Sequence, residues 1–575
     1  MSLLDTASLI VTPNGYKEGK LYSVIPSDGS GDLSVTRATT ATRVNSAGLV
    51  ELVPYNQFNY SQKFDNAYWI KSNSTVTADN TTAPDGTTTA DKMTITSGFG
   101  AVYASSIPLE GTHTISCFFK KGDASSVYID TNGTSGNIFG SLNLDTLATS
   151  SVGGAIVNVE NAGNGWYRLS ITASFTGTTS YIAFGILSAS SNLFTYLWGA
   201  QLVQGSTAKD YQKTETRLNI PRLDYSNGTC PSLLVEPQRT NLLTYSSSFD
   251  NAAWTAQSVS LSANATTAPD GTTTADKIIL ANGSQTDPVV YQILDNTANT
   301  RTLTFFAKAS EYNIAFGRIG GSSNSPIVLF QLSGSGSILH NQNVSTYSIE
   351  ALENGWYRCS MTYSHGASFA PNVGVCSSTY SITTSGVIST GNGTSGIFIW
   401  GAQLEVGSYA TSYIPTTSAS VTRNADVISK TGISSLIGQT EGTIFIDVDF
   451  DNFASQTNNP VLFSLFGNAT IYMQMFTGGY AELLYNTGAG NQAYLYWGGV
   501  TNGRHKIAFG YKANDFVLYV DGTQIATDTS GSVDTLSSFY FAYNNASFNP
   551  TANYNAAALW KTRLTNTQLA QLTTI

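Results

Sequence analysis

Thr81-Thr82-Ala83-Pro84-Asp85-Gly86-Thr87-Thr88-Thr89-Ala90-Asp91-Lys92 returns unchanged, residue for residue, as Thr266 to Lys277, 185 positions later. The same offset relates Asn56-Gln57-Phe58-Asn59-Tyr60-Ser61 to Asn241-Leu242-Leu243-Thr244-Tyr245-Ser246, and Phe64-Asp65-Asn66-Ala67 with Trp69 to Phe249-Asp250-Asn251-Ala252 with Trp254. Asn164-Gly165-Trp166-Tyr167-Arg168 recurs at Asn354 to Arg358, now 190 apart, and Trp198-Gly199-Ala200-Gln201-Leu202 at Trp400 to Leu404, 202 apart. The offset grows only between matching blocks, which places the extra residues in connecting segments, where length change is tolerated. A unit this long exceeds the roughly 20–50 residues of a solenoid repeat. It is a duplicated domain.

Within each copy, short apolar runs alternate with turns. Pro84-Asp85-Gly86 is a turn triplet, with proline at the second position of the four-residue turn and glycine supplying a permissive backbone. Thr114 to Lys120, Val127-Tyr128-Ile129, Leu142-Asn143-Leu144 and Trp166-Tyr167-Arg168 read as strands, and Trp198 to Leu202 closes the unit. About eight strands at this spacing predict an antiparallel sandwich of jelly-roll type.

Composition points the same way. Charged residues make up 11% of the 575, against a typical value of about 25%. The mean hydropathy is nevertheless −0.05. Ser, Thr, Asn, Gln and Gly therefore carry the polarity, which with 11% aromatics and 52 glycines favours strands and turns over helices. A net charge of −10 argues against a nucleic-acid partner and against an anionic membrane surface. No stretch approaches the roughly 20 apolar residues of a membrane span, and Met1 to Asp5 lacks the basic start and apolar run of a signal peptide. A β-rich protein of this kind then has few routes out of a cell, of which lysis is one.

Four cysteines, at 117, 230, 359 and 376, are too few for a disulfide framework, and buried small hydrophobes is the plain reading. A Cys359–Cys376 bridge is the alternative. Cys117 aligns with Thr304 in the second copy, so no bridge common to both copies uses it.

The chain divides into residues 1–55, a first repeat at 56–212, a connector at 213–240, a second repeat at 241–415, a linker at 416–430 and a distinct C-terminal domain at 431–575. Residues 1–55 are too poor in apolar side chains to fold alone and are expected to dock. Tyr16 to Ile25 reads as one strand ended by Pro26. Pro221, Pro231 and Pro237 exclude a long helix from the connector. In the linker, Thr422-Arg423-Asn424 echoes Thr36-Arg37-Ala38.

In the last domain, Thr443 to Asp451 alternates cleanly, with Ile444, Ile446, Val448 and Phe450 on one face and Asp447, Asp449 and Asp451 on the other. The plain reading of that acidic face is a solvated exterior. Calcium binding and glycoside hydrolysis, which needs paired carboxylates, are the alternatives. Asp521-Gly522 marks a hairpin, and Thr565-Asn566 is placed to cap a short helix through Leu569 and Leu572.

Gly503-Arg504-His505-Lys506-Ile507, Leu518-Tyr519-Val520-Asp521-Gly522 and Trp560 to Thr565 are similar to concanavalin A-like (laminin-G-like) lectin domains. The doubled unit, through Ala268 to Lys277, Asn354 to Arg358 and Trp400 to Gly407, resembles the carbohydrate-binding-module-like jelly rolls of bacteriophage tail fibres and other virion appendages. So does the connector, Asn219 to Tyr225 and Leu234 to Asn241. In such proteins the connector follows directly on a segment like Thr42 to Glu51. Here the first jelly roll sits between the two as an insertion. The first copy also lacks the glutamate found at 405.

The fold class implied is all-β: two tandem jelly rolls and a concanavalin A-like sandwich behind an N-terminal attachment segment. The function implied is a non-enzymatic virion fibre or spike, displayed on the particle and binding host-surface polysaccharide. Residues 1–55 would contact other virion proteins, and the assembly would be a homotrimer by analogy with other fibres. A purely structural head fibre or capsid decoration, and a polysaccharide depolymerase, are the alternatives.

Catalytic motifs are missing. His113, His340, His365 and His505 show no metal-ligand spacing, and there is no nucleophile elbow, P-loop or dinucleotide fingerprint. No cofactor is expected, with structural calcium near the Asp85/Asp91 and Asp270/Asp276 turns as the exception. Trp166, Trp356, Trp198 and Trp400 read as core residues, with Arg168 and Arg358 pairing across the sheet, in preference to sugar platforms. Tyr494, Tyr496 and Trp497, between glycine-rich turns, are the glycan-binding candidates.

Overall fold

The computed structural model describes residues 3–109, 111–294, 299–320, 324–365, 370–384, 386–450, 459–543 and 548–575. It is almost wholly β, with antiparallel pairing throughout and one α-helix, Asn566–Thr573, among the described residues. Two compact units make up the chain: Val53–Leu218, and Met1–Leu52 together with Asn219–Ile575.

The Val53–Leu218 unit is a sandwich of two six-stranded sheets. In one, Gly111–Lys121 lies between Trp166–Phe175 and Phe194–Gln204; in the other, Ser126–Gly133 lies between Gly136–Asn143 and Thr178–Ile186. Phe58, Phe64, Trp69, Ile115, Leu169 and Phe184 fill the space between the sheets. The second repeat, in the other unit, repeats the plan: Asn299–Ala309 lies between Trp356–His365 and Gly396–Val406.

The structure accounts for the residues that recur. Asn56 donates from Nδ2 to the carbonyls of Ala200 and Gln212 and accepts at Oδ1 from Phe58 N and Leu202 N. Asn241 makes the matching four bonds with Ala402, Ile414, Leu243 and Leu404. One buried amide thus ties the opening of each unit to its closing strand. The unchanged twelve-residue stretch is a lid over two tryptophans. Trp166 donates to Thr82 O and Trp198 to Thr89 Oγ1, as Trp356 does to Thr267 O and Trp400 to Thr274 Oγ1. All four rings are 1–3% exposed, so they are core, as expected. Arg168 reaches across the sheet to Ser116 Oγ at 3.1 Å.

The last step in offset, from 190 to 202, has a location. Seven residues separate Thr178–Ile186 from Phe194–Gln204, but nineteen separate Ala370–Cys376 from Gly396–Val406. The added residues build the Tyr380–Ile382 and Val387–Gly391 hairpin, which pairs with Gly283–Thr286. Strand register also corrects one alignment: Phe118 and Phe306 hold the same place opposite Trp198 and Trp400, so Cys117 corresponds to Phe305, not Thr304. Cys117, Cys359 and Cys376 are free and buried, and Cys230 is free and exposed.

The N-terminal residues are not an arm. Leu9–Lys17, Lys20–Ile25 and Leu33–Thr36 are interior strands of one long rolled sheet, between Ala552–Trp560 on one side and Val427–Thr431 on the other. The expected single strand from Tyr16 to Ile25 is broken at Gly19, whose φ of 78° makes the hairpin turn. The expected boundary at 431 therefore fails: Leu9, Val11, Leu21 and Leu33 share one core with Ile444, Phe509 and Phe539. They supply apolar surface to the C-terminal sandwich, which is why so short a segment is ordered. The connector joins the same sheet through Ser232–Val235 on Ala552–Trp560. The helix Asn566–Thr573 carries the expected cap, with Thr565 and Gln568 forming a capping box, and packs Leu569 against Ala508 and Val517.

Two arginines from the echoed Thr-Arg pairs meet inside this unit. Arg37 Nη1 lies 2.7 Å from Asp426 Oδ1, and Arg423 Nη1 lies 2.8 Å from Glu236 Oε2. Arg222 bridges the two carboxylates, reaching Glu236 at 2.7 Å and contacting Asp426 Oδ2. All five side chains are at most 2% exposed. Burial by itself would raise both carboxyl groups, but Arg423 and Arg222 hold Glu236, and Arg222 and Arg37 hold Asp426, below the ordinary carboxylate range.

Beside this network, Val44 N donates to Asp224 Oδ2 at 2.7 Å, Tyr225 N to Val44 O at 3.0 Å and Arg43 to Leu223 O at 3.1 Å, between residues 180 or 181 positions apart. Residues 42–44 and 222–225 are neighbours in one unit, and most of the chain between them forms the other.

Candidate functional site

Period-two alternation decides which side chains of Gly490–Gly498 reach solvent. Ala493, Leu495 and Trp497 point into the core, and Tyr494 and Tyr496 are 48% and 50% exposed. Trp497, expected with them, is 5% exposed, its ring edge-on to His505 at 5.2 Å. It is a core residue, because it is an odd step along the strand from the two tyrosines.

Two other rings take its place. Phe476 and Tyr480, directly opposed on neighbouring strands, stack at 4.8 Å and 6°. Tyr480 meets Tyr496 at 5.3 Å and 30°. The tyrosine rings lie low over glycine: a Cβ at Gly478 or Gly498 would stand 2.9 Å from the Tyr480 or Tyr496 ring. The result is a run of three half-buried to exposed rings on the outer face of a sheet. Glu482 lies on that face, opposite Gln474 and Tyr496. The Tyr494 phenol donates to Glu482, and this bond to a carboxylate pushes Tyr494 up to about 12. Gln474 is anchored to Asn459 O at 2.9 Å.

Further across the same face a second aromatic group forms. Phe466 packs against Tyr540 at 5.5 Å and Tyr543 at 5.2 Å, and Tyr543 against Tyr472 at 6.0 Å and Phe548 at 5.7 Å. The alternation Tyr472-x-Gln474-x-Phe476, Tyr480-x-Glu482-x-Leu484 and Tyr494-x-Tyr496 is the sequence signal for this face.

The acidic strand is not a solvated exterior. Glu441–Phe450 is an interior strand, flanked by Gly503–Lys512 and Ala552–Trp560. Asp447, 5% exposed, accepts from Arg504 Nε at 2.8 Å and Nη2 at 2.6 Å, and from Asn555 at 3.1 Å. Asp449 accepts from Asn227 at 3.1 Å. Asp451 lies outside the described residues.

The Pro-Asp-Gly turns are closed by their own backbone. Asp85 and Asp270 each accept from the amide and hydroxyl of the threonine two residues on. Asp91 accepts from Phe64 N and Asp79 N, and Asp276 from Phe249 N and Asn264 N. Burial outweighs these bonds and pushes both carboxyl groups up to about 6. Among the described residues no group of three His, Cys, Asp or Glu is placed to hold a metal.

Glu405 is a brace. It accepts from Thr411 N and Oγ1, both at 2.7 Å, and Val203 stands at its register in the first copy. A cleft of about 440 Å³ near Arg43, Asp224 and Arg358 has a mixed polar and apolar lining, and those three groups bond Glu51, Val44 N and Thr411 O.

No family model matches the chain, and no curated protein matches it. Among solved structures, the chain is similar to the CBM40 module of a Ruminococcus gnavus IT-sialidase bound to alpha2,3 sialyllactose, at 14% identity and TM-score 0.21, over 25% of this chain and 86% of that one. The tandem CBM22 modules of Paenibacillus barcinonensis Xyn10C align at 12% identity and TM-score 0.19, over 64% and 99%. Mouse laminin alpha1 LG4-5 aligns at 11% and 0.16, over 48% and 87%. No residue of this chain takes a role from these likenesses.

Proposed function

We propose that this chain is a non-enzymatic adhesion protein of a bacteriophage particle, a fibre or spike that holds host-surface glycan on the outer face of its C-terminal sandwich. The observation that carries this reading is the Phe476–Tyr480–Tyr496 run with Glu482 and Tyr494 beside it. Pyranose rings present flat C–H faces that pack on aromatic rings, and a rim of hydroxyls that needs donors and acceptors. Rigid aromatics with a few placed polar groups meet both needs. The engagement of Asp447 by Arg504 supports a binding role over hydrolysis. The resemblance of the doubled unit and connector to phage appendages supports the particle. Trimeric assembly would present the face several times, raising avidity without new contacts.

Retention of the whole chain on immobilised bacterial polysaccharides, compared with Tyr480→Ala/Tyr496→Ala, tests the proposal. The expected result is retention of the parent and loss in the variant at unchanged melting temperature. Equal behaviour of the two would overturn it.

A further inference from the structure

The two aromatic groups lie on one face but are too far apart for one sugar. Tyr472 and Phe476 are on the same strand, four residues apart, which is about 13 Å. A single pyranose, about as large as a tyrosine ring, covers one group only. Between the groups stand Gln474 and Glu482, which offer an amide and a carboxylate, and Leu484, opposite Tyr472, adds a flat apolar step. Hydrogen-bonding groups between two sets of rings suit a ligand that is itself a row of rings joined by polar rims.

Charge narrows the class. From Asn459 to Val500 the chain contains one ionisable acid or base of the Asp, Glu, Lys, Arg and His types, Glu482. An anionic glycan laid across this face would meet a carboxylate and no cation, a like-charge contact that disfavours binding.

Resting on the glycan-binding reading above, we infer that the face takes a neutral polysaccharide along its chain, from the Phe476–Tyr480–Tyr496 group to the Tyr472–Phe466–Tyr540 group. It selects against acidic polymers and against single terminal sugars. Binding is correspondingly insensitive to salt, because no ion pair is formed.

Calorimetry on the whole protein tests this. The probes are malto-, cello-, laminari- and chito-oligosaccharides of two to six units, with alginate, hyaluronan and polysialic acid as acidic polymers. The expected result is that the best neutral series gains at least about tenfold in affinity from dimer to hexamer. Tyr472→Ser/Tyr540→Ser should abolish that gain while leaving dimer binding intact, and Tyr472→Phe/Tyr540→Phe should keep it, which controls for folding. Affinity should change less than about twofold between 50 and 500 mM salt. If a dimer binds as tightly as a hexamer, with Tyr496→Ala still weakening it about tenfold, the chain inference is wrong and the glycan-binding reading survives. Preference for an acidic polymer overturns the inference alone. Binding to no glycan, or self-association that Tyr496→Ala disrupts, overturns both.

Discussion

Arg37 sets its Nη1 2.7 Å from Asp426 Oδ1, although the two are 389 positions apart in the chain and solvent touches neither side chain beyond 1%. A buried ion pair is a poor source of net stability, but removing one partner leaves an uncompensated charge in a dry interior. Arg37→Ala is therefore expected to destabilise its unit by about 3–5 kcal/mol. Urea unfolding of the variant checks this; a loss below about 1 kcal/mol would mean that the pair is hydrated.

The same network sets an acid limit. Glu236 and Asp426 have folded values below their unfolded ones, so the stability they contribute is fully present above about pH 4 and is lost as pH falls below that. Thermal melting between pH 7 and pH 3 should show this unit weakening on the acid side.

Asp91 runs the other way. It titrates at about 6 in the folded Val53–Leu218 unit, so its contribution is present below about pH 4 and is lost as pH rises through 6. A rise from the ordinary carboxylate range to about 6 is worth about 3 kcal/mol. The slope of stability against pH between 4 and 6.5 should be negative for this unit and flatter in Asp91→Asn. A carboxyl carbon resonance of Asp91 titrating near 4 would contradict it.

Neighbours in sequence should separate by role. Tyr496→Ala should change stability by no more than about 0.5 kcal/mol and weaken glycan retention about tenfold. Trp497→Ala should cost about 3–5 kcal/mol through the cavity left in the core. Comparable destabilisation by both would mean that the outward face is packed.

Excision offers a further test. Replacing 54–217 by a short Gly-Ser linker should leave the remaining unit folded, with its melting temperature within a few degrees of the parent, because the bonds between 42–44 and 222–225 do not involve the excised residues. Loss of the cooperative transition would show that the inserted unit is needed.

The duplication, the all-β class and the capped helix were legible in the sequence because each depends on residues close together along the chain. Thr81 to Lys92 repeats whole, Ile444 to Phe450 alternates, and Thr565 meets Gln568 three residues on. Arg37 and Arg423 were visible as an echo, but that they meet over Asp426 and Glu236 is a matter of tertiary arrangement. The glycine-rich turns on either side of Tyr494 to Trp497 suggest exposure for all three rings, but the odd step from Tyr496 assigns Trp497 inward. Asp447 was placed in solvent by alternation, which tells one face from the other but not what covers it. Phe476 and Tyr480 were missed because their stacking requires the register of two strands.

Leu9 pairs with Leu559, so a ribosome making this chain releases one edge of a sheet long before it makes the other. The Val53–Leu218 sandwich has all its strands early and can close while synthesis continues, but the strands ahead of it must wait. A product cut short before Ala552 would leave Leu9–Lys17 and Glu441–Phe450 with bare edges. The early strands thus depend on a late one, since Ala552–Trp560 lies between Leu9–Lys17 and Glu441–Phe450 and must be made before either is paired on that side.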